Sequence, residues 1–234
     1  MSTPAQLTQN FVSIQTAIEA ACKRSGRKAS DVTLMAVTKY ATDADVLALL
    51  STGLVQHIGE SRVQQALARW TKPDFAKYSV IKHFIGHLQK NKAALAAQFF
   101  DFIDSIDDIE TAKLLSSHAE KHGKILHVLV QIKLTDRSSQ SGLALADAPA
   151  LVAALHNLPN IIPCGYMAIA PQTDNVAQLR ALFMQVHAAF ERDFPVGQER
   201  YLSLGMSNDF EVAVEAGSTL PRIGSNLFAT HLEE

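Results

Sequence analysis

Apolar residues recur along this chain in two alternating patterns: short continuous runs of the kind that fill a strand buried on both faces, and longer stretches with a helical repeat. Leu7, Phe11, Ile14 and Ile18 lie at helical spacing behind Thr3-Pro4, a cap followed by a first helical residue, and Gly26 supplies a stop. A helix therefore precedes the first strand, the run Thr33 to Thr38 that ends abruptly in Lys39. Thr42-Asp43-Ala44-Asp45 resembles a capping box with Asp in place of Glu, and opens a short helix over Val46 to Leu50 that ends near Gly53. Leu54 to Gly59 is a second strand, Arg62 to Trp70 its helix, and Pro73 closes the unit. The cycle then repeats. Strands are predicted over Tyr78 to Ile85, Phe100 to Ile106, Ile125 to Ile132, Ile161 to Ile169, Tyr201 to Leu204 and Leu220 to Ile223. Helices are predicted over Leu88 to Phe99, from Asp107-Glu110 to His122, and over Leu145 to His156, Val176 to Phe194 and Asp209 to Ala216, with a last short helix from Ser225. A longer polar loop spans Thr135 to Ser141. Pro221 falls inside the eighth strand, where it removes a ladder donor, so that strand is expected to be short or irregular.

Eight strand-helix alternations with short connections and no composition break predict a closed (β/α)8 TIM barrel, α/β in class, with an extra N-terminal helix and one domain over residues 1–234. An open doubly wound sheet would normally place a glycine-rich turn after its first strand, and here that turn reads Lys39-Tyr40-Ala41-Thr42. Hydrophobic residues at 47% and charged residues at 19% supply a large core and argue against disorder. A net charge of -2 argues against nucleic-acid or membrane-surface binding, neither of which could draw on a broad electrostatic attraction. Cys22 and Cys164 are too few for a disulfide framework and suit a reducing compartment. No signal-peptide pattern and no apolar run of membrane-spanning length is read, so a cytoplasmic location is expected.

The candidate chemistry follows from where the strands end. In a barrel of this kind the residues after each strand gather around one mouth, which would collect Lys39, Glu60-Ser61, His87, Ser105-Asp107, Lys133, Met167, Ser203 and Arg222. For Lys39 alone a solvated strand-end charge is the simple explanation. The far end of the chain changes that, because Ser203, Gly205, Ser207, Arg222, Gly224, Ser225 and Asn226 fall at two strand-to-helix turns with the composition of a phosphate cradle. An amine able to form an imine, facing a phosphate site, points to a pyridoxal phosphate pocket. If Arg222 faces the pyridine nitrogen, that nitrogen must accept while unprotonated, which makes the ring a poor electron sink and disfavours transaminase-like chemistry. The nine histidines do not compose a metal site: His118 with His122 and His83 with His87 lack the glutamate or cysteine partners that zinc motifs require.

The same residues carry a family resemblance. Ala36-Val37-Thr38-Lys39, His57-Ile58-Gly59-Glu60, His83-Phe84-Ile85-Gly86 with Leu88-Gln89 and Asn91-Lys92, Gly165-Tyr166-Met167-Ala168-Ile169, and Leu204-Gly205-Met206-Ser207 through Arg222-Ile223-Gly224 resemble the YggS/PROSC pyridoxal phosphate homeostasis proteins over nearly the whole chain. The resemblance implies a single barrel like the N-terminal domain of alanine racemases, holding pyridoxal 5′-phosphate as an internal aldimine to Lys39. It implies phosphate contacts from Ser203, Gly224 and Ser225, with Arg222 facing the pyridine nitrogen and Met167 and Ser61 among the residues lining the cofactor. Ser61 stands where Gly-Glu-Asn is common, His87 and Lys90 replace a usual Pro and Ser, and Ser225 replaces a common Thr while keeping the hydroxyl.

The family resemblance further implies a protein that binds, buffers or delivers the cofactor, with transfer to apoenzymes, and influences amino-acid and keto-acid balance without an established catalytic reaction. A monomer is expected. Two enzymatic readings stand beside it: a pyridoxal phosphate racemase or lyase of narrow scope, and a Schiff-base aldolase acting on a phosphosugar. A racemase needs bases on both faces of the substrate carbon, and only the lysine is identified here.

Overall fold

The computed structural model describes residues 2–135 and 140–229. Eight parallel strands run in the order β7-β6-β5-β4-β3-β2-β1-β8. They are β1 (Met35–Val37), β2 (His57–Glu60), β3 (Ile81–Phe84), β4 (Phe102–Ile106), β5 (Leu126–Lys133), β6 (Ile161–Ile169), β7 (Tyr201–Ser203) and β8 (Arg222–Ile223). The seam between β7 and β8 is closed by hydrogen bonds rather than by a regular ladder. Thr219 and Leu220 donate their N–H groups to Leu202 O at 2.9 and 3.1 Å, and Arg222 N–H donates to Gly205 O at 3.0 Å. The sheet is thereby a barrel, as the alternation of patterns predicts.

Helices cover the outside. They are α1 (Pro4–Ser25), α2 (Asp43–Ser51), α3 (Val63–Trp70), α4 (Pro73–Ala76), α5 (Ala93–Phe99), α6 (Ile109–Lys121), α7 (Ala148–Leu155), α8 (Val176–Asp193) and α9 (Phe210–Glu215). Alternate strand residues such as Ala36, Ile58, Phe84, Ile103, Val130 and Leu202 point outward and join helix residues such as Leu179, Phe183 and Phe190 in one continuous core. Each Leu- or Phe-sized side chain so buried contributes roughly 1.5–3 kcal/mol. The opposite parity fills the barrel, where Phe102, Leu129, Cys164 and Met167 form a second, smaller cluster with Ile81, Ile169 and Tyr201 at its edge.

The extra N-terminal helix is capped as its sequence indicates: Thr3 accepts from Gln6 N–H, Pro4 occupies the first turn, and Gly26 ends the helix at φ 70°. It also reaches the far end of the chain. Asn10, buried in α1, donates from Nδ2 to Leu227 O and Ala229 O, both at 2.9 Å, and so fastens the segment that follows β8.

Several boundaries differ from the pattern. Pro73 does not close a unit but starts the one-turn helix α4, where its fixed φ suits the first turn and its missing N–H costs nothing. Asp108 rather than Asp107 caps α6, accepting from Thr111 N–H at 2.9 Å, while Asp107 accepts from Gly142 N–H at 3.0 Å. The stretch Leu88 to Phe99 is not one helix, because Lys90–Lys92 form a 3-10 turn before α5. No helix starts at Ser225: Leu227 and Phe228 both donate to Gly224 O, which makes a single turn. The eighth strand has only two residues, and Pro221 lies just outside it with its carbonyl accepting from Met35 N–H at 3.0 Å. Part of the loop Thr135 to Ser141 lies outside the described residues.

Candidate functional site

The carboxyl ends of β1 and β8 are neighbours. Met35 pairs with Arg222 and Ala36 with Ile223, so the chain leaves β1 toward Lys39 beside the chain leaving β8 toward Gly224 and Ser225. At Gly224 a Cβ would stand 3.1 Å from Val37 O and 3.4 Å from Val37 Cβ, a tight approach that a glycine relieves. Lys39 follows two residues later, half-buried, with its Nζ 5.1 Å from the centre of the exposed Tyr40 ring.

Thr38 fixes the base of that lysine. Its hydroxyl donates to Glu60 Oε1 at 2.8 Å, and the same oxygen accepts from Arg69 at 3.0 Å and from Trp70 Nε1 at 3.2 Å. Arg69 also donates to Thr38 O at 2.9 Å and Ala41 O at 2.6 Å, on either side of Lys39. A buried carboxylate is tolerable only with such partners, and here they hold the segment Thr38–Ala41 in place. Sequence reading missed this network. The signal was present in Arg69 and Trp70, two polar-tipped residues on the helix that directly follows Glu60.

Arg222 is buried inside the barrel, 4% exposed. One terminal nitrogen donates to Ser203 O at 2.6 Å and Ser203 Oγ at 2.9 Å, and the other donates to Ala168 O at 2.8 Å. Burial pulls its pKa down to about 10, which leaves it a cation at neutral pH. Ser203 is fully buried, and its own proton goes to Leu220 O at 3.0 Å. In this arrangement its hydroxyl orients the guanidinium, so a phosphate contact by that hydroxyl would require its proton to be released first. Met167 pairs with Ser203 across β6 and β7 and is buried in the interior cluster.

The two closing turns meet. Gly205 sits at φ 86°, where a Cβ would come within 2.6 Å of Ala213 Cβ and 2.8 Å of Phe210 Cα. Asn226 donates to Ser207 O at 2.9 Å, tying the turn after β8 to the turn after β7. Ser225 and Asn226 are exposed there.

Ser61 stands level with Lys39, each two residues beyond the paired Val37 and Gly59. Its carbonyl packs so closely on Gly86 that a Cβ there would lie 2.3 Å away. Ser61 also lines a separate cavity of about 420 Å³ with Arg62, Phe84, His87 and Lys92 on the outer side of β2 and β3. His87 is exposed, its Nδ1 3.1 Å from Ser141 Oγ. His83, by contrast, is fully buried in the barrel. Among the described residues no group of three or more His, Cys, Asp or Glu side chains is arranged to hold a metal ion. None of the described helices is long and apolar enough to cross a membrane.

Comparison with known proteins converges on one family. The model of the alanine racemase N-terminal domain matches residues 15–231. A pyridoxal phosphate homeostasis protein of Escherichia coli is 34% identical over 229 residues, covering 95% of each chain. One from Pasteurella multocida is 33% identical over 225 residues, covering 95% of this chain and 96% of its own. The structure of PipY from Synechococcus elongatus with PLP bound has a TM-score of 0.78 at 32% identity and covers 91% of this chain and 99% of that one. An alanine racemase of Clostridium difficile shares the fold, with a TM-score of 0.74 at 13% identity. The chain belongs to the alanine racemase N-terminal domain family and, within it, to the pyridoxal phosphate homeostasis proteins.

Proposed function

We propose that this chain binds pyridoxal 5′-phosphate at the mouth of its barrel, holds it covalently through an imine from Lys39, and serves intracellular cofactor homeostasis and amino-acid and keto-acid balance. The observation that carries the reading is the side-by-side placement of the strand that leads to Lys39 and the strand that carries Arg222 and leads to Gly224. The residues suit the group. A primary amine at the rim fits an aldehyde. A buried guanidinium held by three neutral acceptors fits a ring nitrogen that stays unprotonated. Two glycine turns joined by Asn226, with Ser225 exposed beside them, fit a phosphate. PipY, a relative at 32% identity, was determined with PLP bound.

Bound there, the cofactor would supply a reversible aldehyde-amine linkage. The chain's own residues supply the rest. Glu60, Thr38 and Arg69 fix the backbone around Lys39, and Ser203 aims Arg222, whose charge disfavours a pyridinium and with it the electron-sink chemistry of aminotransferases. A carrier follows from this more readily than an enzyme. In this reading Ser225 and Gly224 hold the phosphate, Met167 floors the site, Ser61 lies beside Lys39, and the protein works as a cytoplasmic monomer that passes the cofactor to apoenzymes. Borohydride reduction of the protein incubated with pyridoxal phosphate, followed by peptide mass mapping, tests it. A stable label on Lys39 is expected, and a label confined to other lysines would remove the proposal's basis.

A further inference from the structure

Beside the mouth, on the outer side of β2 and β3, lies the cavity of about 420 Å³ that Ser61 borders. Of the residues placed in the cofactor site it shares only Ser61. Its floor is apolar, because the lining residues Val63, Phe84 and Leu88 are buried and belong to the helix-side core. Its walls are cationic. Arg62 and His87 are exposed there and Lys92 is half-buried.

No Asp or Glu lines this cavity. Neighbouring cations have partners, Arg69 in Asp43 and Glu60 and Lys90 in Asp108, whereas no carboxylate among the described residues pairs with Arg62 or Lys92. A second cavity of about 440 Å³, beside α9, gives the contrast. It also presents two arginines, but Arg24 and Arg180 both pair with Glu215, Arg24 pairs with Glu211 as well, and the two carboxylates line that cavity with them. The cavity at α9 is balanced from within, and the one at α3 is not.

The backbone adds donors of the same sign. Arg62 precedes α3 without providing a side-chain cap, and the helical bonds begin with Ala66 N–H to Arg62 O at 3.0 Å. The N–H groups of Val63, Gln64 and Gln65, all cavity residues, therefore have no acceptor among the described residues. His87 turns Nδ1 to Ser141 Oγ at 3.1 Å, which leaves Nε2 as its second polar atom. Unpaired cations and unpaired amides over a buried apolar floor suit an anion joined to an apolar body. The volume falls within the range of about 300–1,000 Å³ usual for small-molecule sites. A forked guanidinium, an ammonium and the amides of a helix start offer more donors than the roughly four lone-pair sites of a carboxylate can take, and match the larger charge and the extra oxygen of a phosphate monoester.

We propose that this cavity is a second ligand site, separate from the cofactor's, for a small phosphate monoester with an apolar body: the phosphate on Arg62, Lys92 and the first turn of α3, the body over Phe84 and Leu88. The site stands whether or not Lys39 takes the cofactor.

Amide NMR of the wild-type protein titrated with phenyl phosphate tests it, because each signal reports its own residue. The signals of Val63, Gln64 and Gln65 should move saturably, and inorganic phosphate should need a roughly tenfold higher concentration for the same movement, since it leaves the apolar floor uncovered. Benzoate, with fewer oxygens and less charge, should bind more weakly than phenyl phosphate. Arg62→Ala should weaken phenyl phosphate about tenfold, the usual worth of a charged hydrogen bond. Gln65→Glu serves where that truncation disturbs the loop. A carboxylate in the first turn favours the helix, so this variant should melt no lower than wild type and yet bind at least about tenfold more weakly. No movement at α3, movement confined to Gly224 and Ser225, equal affinity for inorganic and phenyl phosphate, tighter binding of benzoate, or wild-type affinity in both variants would each overturn the proposal. The two sites fail separately: a borohydride label on Lys39 with no movement at α3 removes this site alone, and movement at α3 without the label leaves it standing.

Discussion

Thr38 donates its hydroxyl to Glu60 Oε1 at 2.8 Å, so the residue immediately before Lys39 is fastened to the end of the neighbouring strand. Lys39 is thus a flexible side chain on a fixed backbone. The fixing depends on a single buried carboxylate oxygen that accepts from Thr38, Arg69 and Trp70.

Glu60→Ala removes that oxygen and leaves the Arg69 guanidinium, only 14% exposed, without its inner partner. We expect a loss of about 3 kcal/mol in urea unfolding, together with a shift in Trp70 fluorescence. A loss below roughly 1 kcal/mol would place the variant among ordinary surface substitutions and would mean the network does not hold the segment.

The strand order, the N-terminal helix with its Thr3 cap and Gly26 stop, and the meeting of the first and last strands were all legible in the sequence, because each follows from periodicity or from a residue with a narrow conformational preference. What was not legible depends on parity and on distance in three dimensions. A histidine in a strand points inward or outward according to register alone, so His57, His83 and Asp104 gave no sign of meeting until three strands were aligned. Likewise nothing local says that the Ser203 hydroxyl faces Arg222 rather than solvent. Ser225 looked like a helix start because a serine after a glycine often is one, but the chain there makes only one turn.

Acid should destabilise the protein in a definite window. His57 has its pKa pushed down to about 4 in the folded chain, against about 6.5 when exposed. Stability is therefore full above pH 6.5 and falls as pH drops from there toward 4, because the unfolded chain takes the proton first; the most this site can remove is about 3 kcal/mol. Urea unfolding at pH 7 and pH 5 measures it, and His57→Gln should flatten the difference. A variant with the wild-type slope would mean that the acid sensitivity lies elsewhere.

Arg222→Ala strips the donors from Ala168 O and Ser203 O inside the barrel. It should lower stability by about 2–4 kcal/mol and weaken pyridoxal phosphate binding at least about tenfold in an absorption titration. Arg222→Lys keeps the charge but cannot span three acceptors, so it should fall between wild type and Arg222→Ala in both measurements. Wild-type affinity in Arg222→Ala would count against a contact with the ring.

At Gly205 a methyl group would collide with Ala213 and with the Phe210 backbone, at a φ of 86° that L residues rarely adopt. Gly205→Ala is expected to cost about 2–4 kcal/mol and to loosen the turn that packs on Asn226 and Arg222. Gly224→Ala meets only the 3.1 Å approach to Val37 O, so it should cost less stability while still lowering cofactor affinity. Equal stability losses for the two would contradict the distinction drawn between them, which thermal melts can measure.

A crystal structure of the protein soaked with pyridoxal 5′-phosphate reads the central claim without an intermediary. Electron density continuous from Lys39 Nζ into the ring, with the ring nitrogen at Arg222 and the phosphate on the Gly224–Ser225 turn, is the predicted result. A cofactor bound outside the mouth, or within it but with its phosphate away from the closing turns and Lys39 unattached, would contradict it.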